Sequence, residues 1–251
     1  MTEDELRSSG AGIRNVDHEF DREAHQPCSI PARQLRSPSD KGRLRDEEIV
    51  RTLCLKVRIC SLEQIAAMWW GDSSNAIARA GRRLHKLVER GILEEDHLNA
   101  HPFLPLAAPV VAWNPGDSDP DFGAVAYQFD SRWAMPFRTV TAYLASERTA
   151  SQRGGFGGPL KQREHATHDL HVAALYLRLL RHHPALAHGW AGEDARKAQG
   201  LELYEKLPDA VLFDPKGTAR LAIEFGGRYP PERVAEFHAY CKERHLPYQF
   251  W

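Results

Sequence analysis

The chain has 251 residues, 42% hydrophobic and 27% charged, with a formal net charge of -1. That composition suits one large globular domain or two small ones. No apolar run approaches the ~20 residues of a membrane-spanning helix, so no membrane partner is expected. With so little net charge, any contact with nucleic acid must come from a local basic stripe.

The opening stretch "MTEDELRSSGAGIRNVDHEFDREAHQ" lacks the apolar segment of a secretory leader, and a cytoplasmic protein is expected. Residues 1–44 are polar, carry scattered Pro, Ser and Gly, and show no periodicity, which reads as a disordered tail. Cys28, Cys54, Cys60 and Cys241 form no Cys-x-x-Cys pair. They read as reduced thiols rather than a zinc knuckle or a disulfide framework.

Order is expected from about residue 45. Ile49, Leu53 and Val57 recur at helical spacing, and Asp46, Glu47 and Glu48 suit a helix N-terminus. Ser61 is placed to cap a short helix carrying Leu62, Ile65, Ala66 and Trp69, which Gly71 and Asp72 end. Ser73 or Ser74 caps a further helix that runs to Arg90 and stops at Gly91. Strands are expected near 92–98, at "PVVAW" (109–113) and at "AVAYQF" (124–129), the last two separated by the turn-rich "NPGDSDPDFG". Three helices with a tight turn between the second and third, followed by strands, make the outline of a winged helix-turn-helix. "TVTAYLASERTA" reads as a strand running into a helix, and the Gly-rich "SQRGGFGGPLKQRE" reads as a connector. A domain boundary is expected near residue 155.

The third helix carries a charge pattern. At about 100° per residue, Arg79, Arg82, Arg83, Lys86 and Arg90 fall within one arc, opposite Ile77, Ala80, Leu84, Leu87 and Val88. As a recognition helix it would present Ser74, Asn75 and Arg79 to base edges, and Arg82, Arg83 and Lys86 to phosphates. A merely solvated charged face, or a winged helix that docks a protein, are the competing readings.

Residues 156–251 read as a small α/β domain. A helix covers "THDLHVAALYLRLLRHH", strands follow at "HGWAGE", "DAVLFD" and "ARLAIEF", then a helix over "PERVAEFHAYCKERH" and a final strand, "PYQFW". This helix, three strands, helix, strand order resembles the core of PD-(D/E)xK nucleases. In those enzymes an Asp and a Glu on adjacent strands hold a divalent metal, and a Lys two residues past the Glu assists the attacking water. Asp209 and Glu224 take the carboxylate positions here, with Glu193 as a further candidate and Mg²⁺ the implied ion. The lysine position is Gly226; Arg228 and Lys206 are the cations that could stand in for it. His165, His168 and His171, spaced by threes, could add metal ligands, with Thr167 as the alternative reading of a helix cap.

Taken together, "LHKLVERGIL", "THDLHVAALYL", "LPDAVL" and "LAIEFGGRY" resemble the replication-relaxation family of bacterial mobile elements over residues 45–251. The resemblance implies an α+β protein with an N-terminal winged helix and a degenerate nuclease-like C-terminal domain. It implies double-stranded DNA binding in plasmid replication control or mobilisation. The expected protein is non-catalytic, its C-terminal domain offering a second surface for DNA, for a replication or mobilisation protein, or for a second subunit in a homodimer. The alternatives are a metal-dependent DNA endonuclease with a displaced lysine and a winged-helix protein-interaction module.

Overall fold

The computed structural model describes residues 38–160, 162–198 and 208–251. The chain divides into two units, Met1–Lys41, of which residues 38–41 are described and helical, and Gly42–Trp251, which holds the sheets and the core. The expected tail over residues 1–37 and the candidate Lys206 lie outside the described residues. The first helix, α1 (Pro38–Leu55), starts ahead of the expected onset at 45. Asp46, expected near a helix start, therefore lies mid-helix with its side chain turned inward at 8% exposure.

The fold is α+β with two small sheets. After α1 come β1 (Cys60–Ser61), α2 (Leu62–Trp69), α3 (Ser74–Glu89) and β2 (Leu93–Ala100). The capping expectations hold for physical reasons local to each turn. Ser61 Oγ accepts from Gln64 N while Gln64 Oε1 accepts from Ser61 N, a reciprocal capping box on α2. Ser73 caps α3, and Gly91 leaves it with φ of +65°, which a β-carbon would disfavour.

β4 (Arg138–Ala145) returns antiparallel along β2, from Leu93↔Ala145 to Ala100↔Arg138, and also pairs with β1, so the first sheet has the order β1-β4-β2. Two expectations fail between β2 and β4. "PVVAW" does form β3 (Val111–Trp113), but β3 pairs with the last strand of the chain, not with β2. "AVAYQF" lies in a helix, α4 (Phe122–Ser131), capped by Asp121 Oδ1 on Ala124 N. Val125, Tyr127 and Phe129 alternate as in a strand, yet Val125, Ala126 and Phe129 are buried and Tyr127 is 75% exposed. That is one helical face, not one strand face.

α5 (Glu147–Gln152) and the long α6 (Ala166–His182) follow, then α7 (Pro184–His188), β5 (Trp190–Gly192) and α8 (Glu193–Ala198). β6 (Ala210–Phe213), β7 (Ala219–Glu224), α9 (Pro231–Glu243) and β8 (Tyr248–Phe250) complete the chain. The second sheet has the order β3-β8-β7-β6-β5; β7 and β8 run parallel because α9 carries the crossover.

The expected boundary near 155 does not separate these parts. β3 and α4, from the first half of the chain, build onto the second sheet. One apolar cluster joins Ile49, Leu53, Leu84 and Leu87 to Trp190, Ile223 and Phe225. Each such side chain, fully buried, contributes about 1.5–3 kcal/mol. Lys56 and Trp190 also bind each other's backbone: Lys56 Nζ donates to Trp190 O at 2.8 Å, and Trp190 Nε1 to Lys56 O at 3.0 Å.

Candidate functional site

Two places collect the residues singled out above. The first is the outer face of α3. Ala76, Ala80, Leu84 and Leu87 turn inward, leaving Ser74, Asn75, Arg79, Arg82, Lys86 and Arg90 exposed. Arg83 does not belong with them. Its Nε donates to Asp46 Oδ2 at 2.8 Å, its second amino group contacts the same oxygen, and this bond raises its pKa. Asp46 is buried and needs a cation, so Arg83 ties α3 to α1 rather than facing a ligand. The exposed cations on α3 are thus Arg79, Arg82 and Lys86, with Arg90 at its C-cap.

The second place surrounds Asp209 and Glu224, which the fold does bring together. Asp209 N donates to Glu224 Oε2 at 3.1 Å, and Phe225 N donates to Asp209 Oδ2 at 2.7 Å. Tyr229 Oη donates to Glu224 Oε1 at 3.0 Å, with Arg233 3.8 Å from the same oxygen. His168, from the first turn of α6, sets Nε2 3.0 Å from Asp209 Oδ1 and Nδ1 3.3 Å from Asp169 Oδ1. A carboxylate at each ring nitrogen requires a proton on both, so His168 is an imidazolium. Burial works against that charge, but Asp209 and the bonds to Asp169 and Asp209 lift its pKa well above the ordinary value. Glu224 is 2% exposed. Burial, reinforced by the charge on Asp209, pushes its carboxyl well above the ordinary range. Burial and then Glu224 raise Tyr229 as well.

Glu193 lines the same cleft with Arg58, His168 and Asp209, but its carboxylate turns to Lys197 Nζ at 2.7 Å. Its contribution to Asp209 is through the backbone, Glu193 N to Asp209 O at 3.0 Å. Arg58 in turn donates from Nε to Asp194 Oδ2 at 2.9 Å.

These residues do not fit a divalent metal. Both oxygens of Asp209 and both of Glu224 already face protein donors. Among the described residues, no group of three His, Cys, Asp or Glu side chains is placed to share an ion. The expected metal role of Asp209 and Glu224, and the catalytic role built on it with Glu193, draw no support from this arrangement. The histidine series disperses too. His165 is exposed. His171 is fully buried, accepts from Leu104 N at Nε2 (3.1 Å) and stacks on Phe225, and burial lowers its pKa to about 4. Thr167 does not cap α6; His165 holds that position, and Thr167 Oγ1 accepts from His101 N.

Arg228, the described candidate for the missing lysine, does not stand in for it. β7 ends at Glu224, so Arg228 does not continue its face; it is exposed and lies 3.7 Å from Asp130. At Gly226 the ring of Phe129 occupies the space a side chain would need. Arg132, at the C-cap of α4, donates to Gly226 O and, at 3.1 Å, to Trp251 O. Burial lowers its pKa to about 10. Sequence pattern does not mark His168 as the partner of Asp209, although "THDLH" contains it. Nor does it mark α4, because the apolar residues of that helix alternate.

Family models, curated proteins and solved structures were compared with this chain, and none matches.

Proposed function

We propose that this protein binds duplex DNA without cleaving it, as a winged helix-turn-helix protein whose recognition element is α3. The succession α1, β1, α2, α3, β2, with β4 returning after β3 and α4 to complete the sheet β1-β4-β2, supports that class. The observation that carries the reading is the exposed face of α3, where Arg79, Arg82 and Lys86 stand together with Ser74 and Asn75 at its N-terminal end. Cations on one helix face match a phosphate backbone, while the short polar residues can approach base edges. The sequence resemblance to the replication-relaxation family suggests the setting: replication control or mobilisation of a bacterial mobile element, alongside a replication or mobilisation protein. The carboxylate cluster serves as internal structure in this reading.

Fluorescence anisotropy with a labelled duplex of about 20 bp, two helical turns, tests it across a salt series. Arg79→Ala with Arg82→Ala should flatten log K against log[salt] by about two units, at roughly 0.9 for each phosphate no longer neutralised. Wild-type affinity with the same slope in that double variant would defeat the assignment.

A further inference from the structure

The first sheet ends, away from α3, in an aromatic step. β2 leaves the sheet at Ala100 and β4 enters it at Arg138, and these two residues face each other across the ladder. Just beyond that pair, the ring centroids of His101 and Phe137 lie 4.0 Å apart, with the planes tilted by 34°. Phe137 is nevertheless 62% exposed and Met135 63%.

This exposed step is held in place. His101 N donates to Thr167 Oγ1 at 3.0 Å, and His101 Nδ1 donates to Met135 O at 2.7 Å. The His101 ring also packs 5.1 Å from that of Trp133, which meets His171 and Phe225 edge-on in the core. Phe137 therefore has a braced ring behind it while most of its own surface faces water. An ordered aromatic left in water adds nothing to folding, and exposed apolar patches of this kind mark contact sites. Beside it, Arg138 is exposed and pairs with no acid among the described residues.

An open ring next to a free cation is the composition of a platform for single-stranded nucleic acid. The ring stacks on a base and the cation takes a neighbouring phosphate. Bases paired inside a duplex have both faces covered by their neighbours, so such a ring stacks on a base that has left the pair. The platform belongs to the same sheet that receives the end of α3. Ser146 Oγ donates to Gly91 O at 2.8 Å, just past α3, and the eight residues of β4 lead from there to Arg138. At about 3.3 Å per residue that strand spans roughly 23 Å, or about seven nucleotides of a DNA strand.

We infer that Phe137, braced by His101 and flanked by Arg138, stacks on an unpaired base of DNA, so that the protein engages a junction of duplex and single strand. The duplex part of this inference rests on the reading of α3 as the recognition helix; the stacking site stands on β4 and His101.

Anisotropy titrations of the full chain test it with a duplex of about 20 bp carrying a 3′ or a 5′ arm of about 12 thymidines, longer than the span from α3. An abasic arm of the same length keeps the phosphates and removes the bases. With one arm polarity the thymidine arm should bind between about fivefold and a hundredfold more tightly than its abasic counterpart, the worth of one stacked base. Phe137→Ala should bring that ratio close to one, and Phe137→Trp should keep it; circular dichroism checks the fold of both. Equal affinity for thymidine and abasic arms in the wild type, or a ratio unchanged in Phe137→Ala, overturns the stacking site. A wild-type dimer in sedimentation velocity that Phe137→Ala dissociates, with no preference for the thymidine arm, also overturns it and assigns the patch to a contact between copies. The two readings fail separately. A blunt duplex bound with a slope that Arg79→Ala with Arg82→Ala flattens, and no preference between arms, removes the stacking site alone. No binding of the blunt duplex, with an oligothymidine strand bound through Phe137, removes the α3 reading alone.

Discussion

The ring of Phe129 fills the space beside Gly226: a β-carbon built at 226 would lie 2.6 to 2.7 Å from three of its atoms. The position where the sequence resemblance expects a lysine is closed by α4, which the chain inserts between β2 and β4. Glycine is required here by lack of room, not by backbone angle, since Gly226 is absent from the residues with positive φ. Gly226→Ala should therefore destabilise by about 1–3 kcal/mol through overpacking against the fully buried Phe129 ring. Phe129→Ala in the same chain should recover part of that loss, even though it is costly alone. Urea unfolding of the two single variants and the double variant measures the coupling; strictly additive effects would contradict the contact.

Arg83 and its neighbours on α3 should separate by assay. Removing Arg83 leaves the buried carboxylate of Asp46 without its bonded cation. The pair is partly solvated on the arginine side, so Arg83→Ala should cost about 1–3 kcal/mol, between surface and buried limits. Its salt slope for DNA should match wild type. Arg79→Ala and Arg82→Ala should do the reverse, leaving urea stability within about 0.5 kcal/mol of wild type while flattening the slope. A stable Arg83→Ala protein with a flattened slope would reassign that residue to the interface.

Divalent metal should leave this protein unchanged. Asp209 and Glu224 are occupied by Phe225 N, His168, Asp209 N and Tyr229 Oη. Millimolar Mg²⁺ or Mn²⁺ should shift neither the thermal midpoint nor the topology of a supercoiled plasmid. Asp209→Asn should instead lower stability in metal-free buffer, because His168 then loses one of its two charged partners. Metal-dependent nicking that disappears in Glu224→Gln would establish the nuclease alternative.

Stability should fall as pH rises above neutrality. His168 and Glu224 hold protons more tightly in the folded chain than their ordinary values of 6.5 and 4.5 allow. Their contributions are fully present below those values and are lost as pH climbs through the raised ones. His171 has the opposite sign, adding stability as pH rises from about 4 to its ordinary 6.5, and no slope beyond. The groups facing His168 are Asp169 and Asp209, with Arg58 3.9 Å from Asp169. Between pH 6.5, the ordinary histidine value, and about 8 the urea midpoint should therefore decline, and His168→Gln should flatten the decline. A midpoint rising over that interval in the wild type would refute the charge assignment.

What the sequence determined by itself is what lies within a few residues along the chain. Ser61 with Gln64, Ser73 with Ala76, and the positive φ at Gly91 are set within one helical turn, and each was legible. The split of α3 into an apolar and a cationic face follows from the 3.6-residue period alone. The order of the strands and the two long helices from α6 to β8 was legible on the same grounds, whereas the short helices α7 and α8 were not. Tertiary structure decided which of those side chains were already engaged. Arg83 belongs to Asp46, 37 positions away, and the Asp209 amide to Glu224, 15 positions away. No periodicity records either pairing. It also decided that β3 joins β8 and that α4 packs Phe129 onto Gly226, because the hydrogen bonds of an edge strand and the room beside a glycine depend on what distant chain arrives there. "LPDAVL" and "LAIEFGG" do form adjacent strands with their carboxylates together, as their pattern predicts. Which donors those carboxylates face was decided by His168 and Tyr229, the first brought there by a helix distant along the chain from β6 and the second by the loop beyond the end of β7.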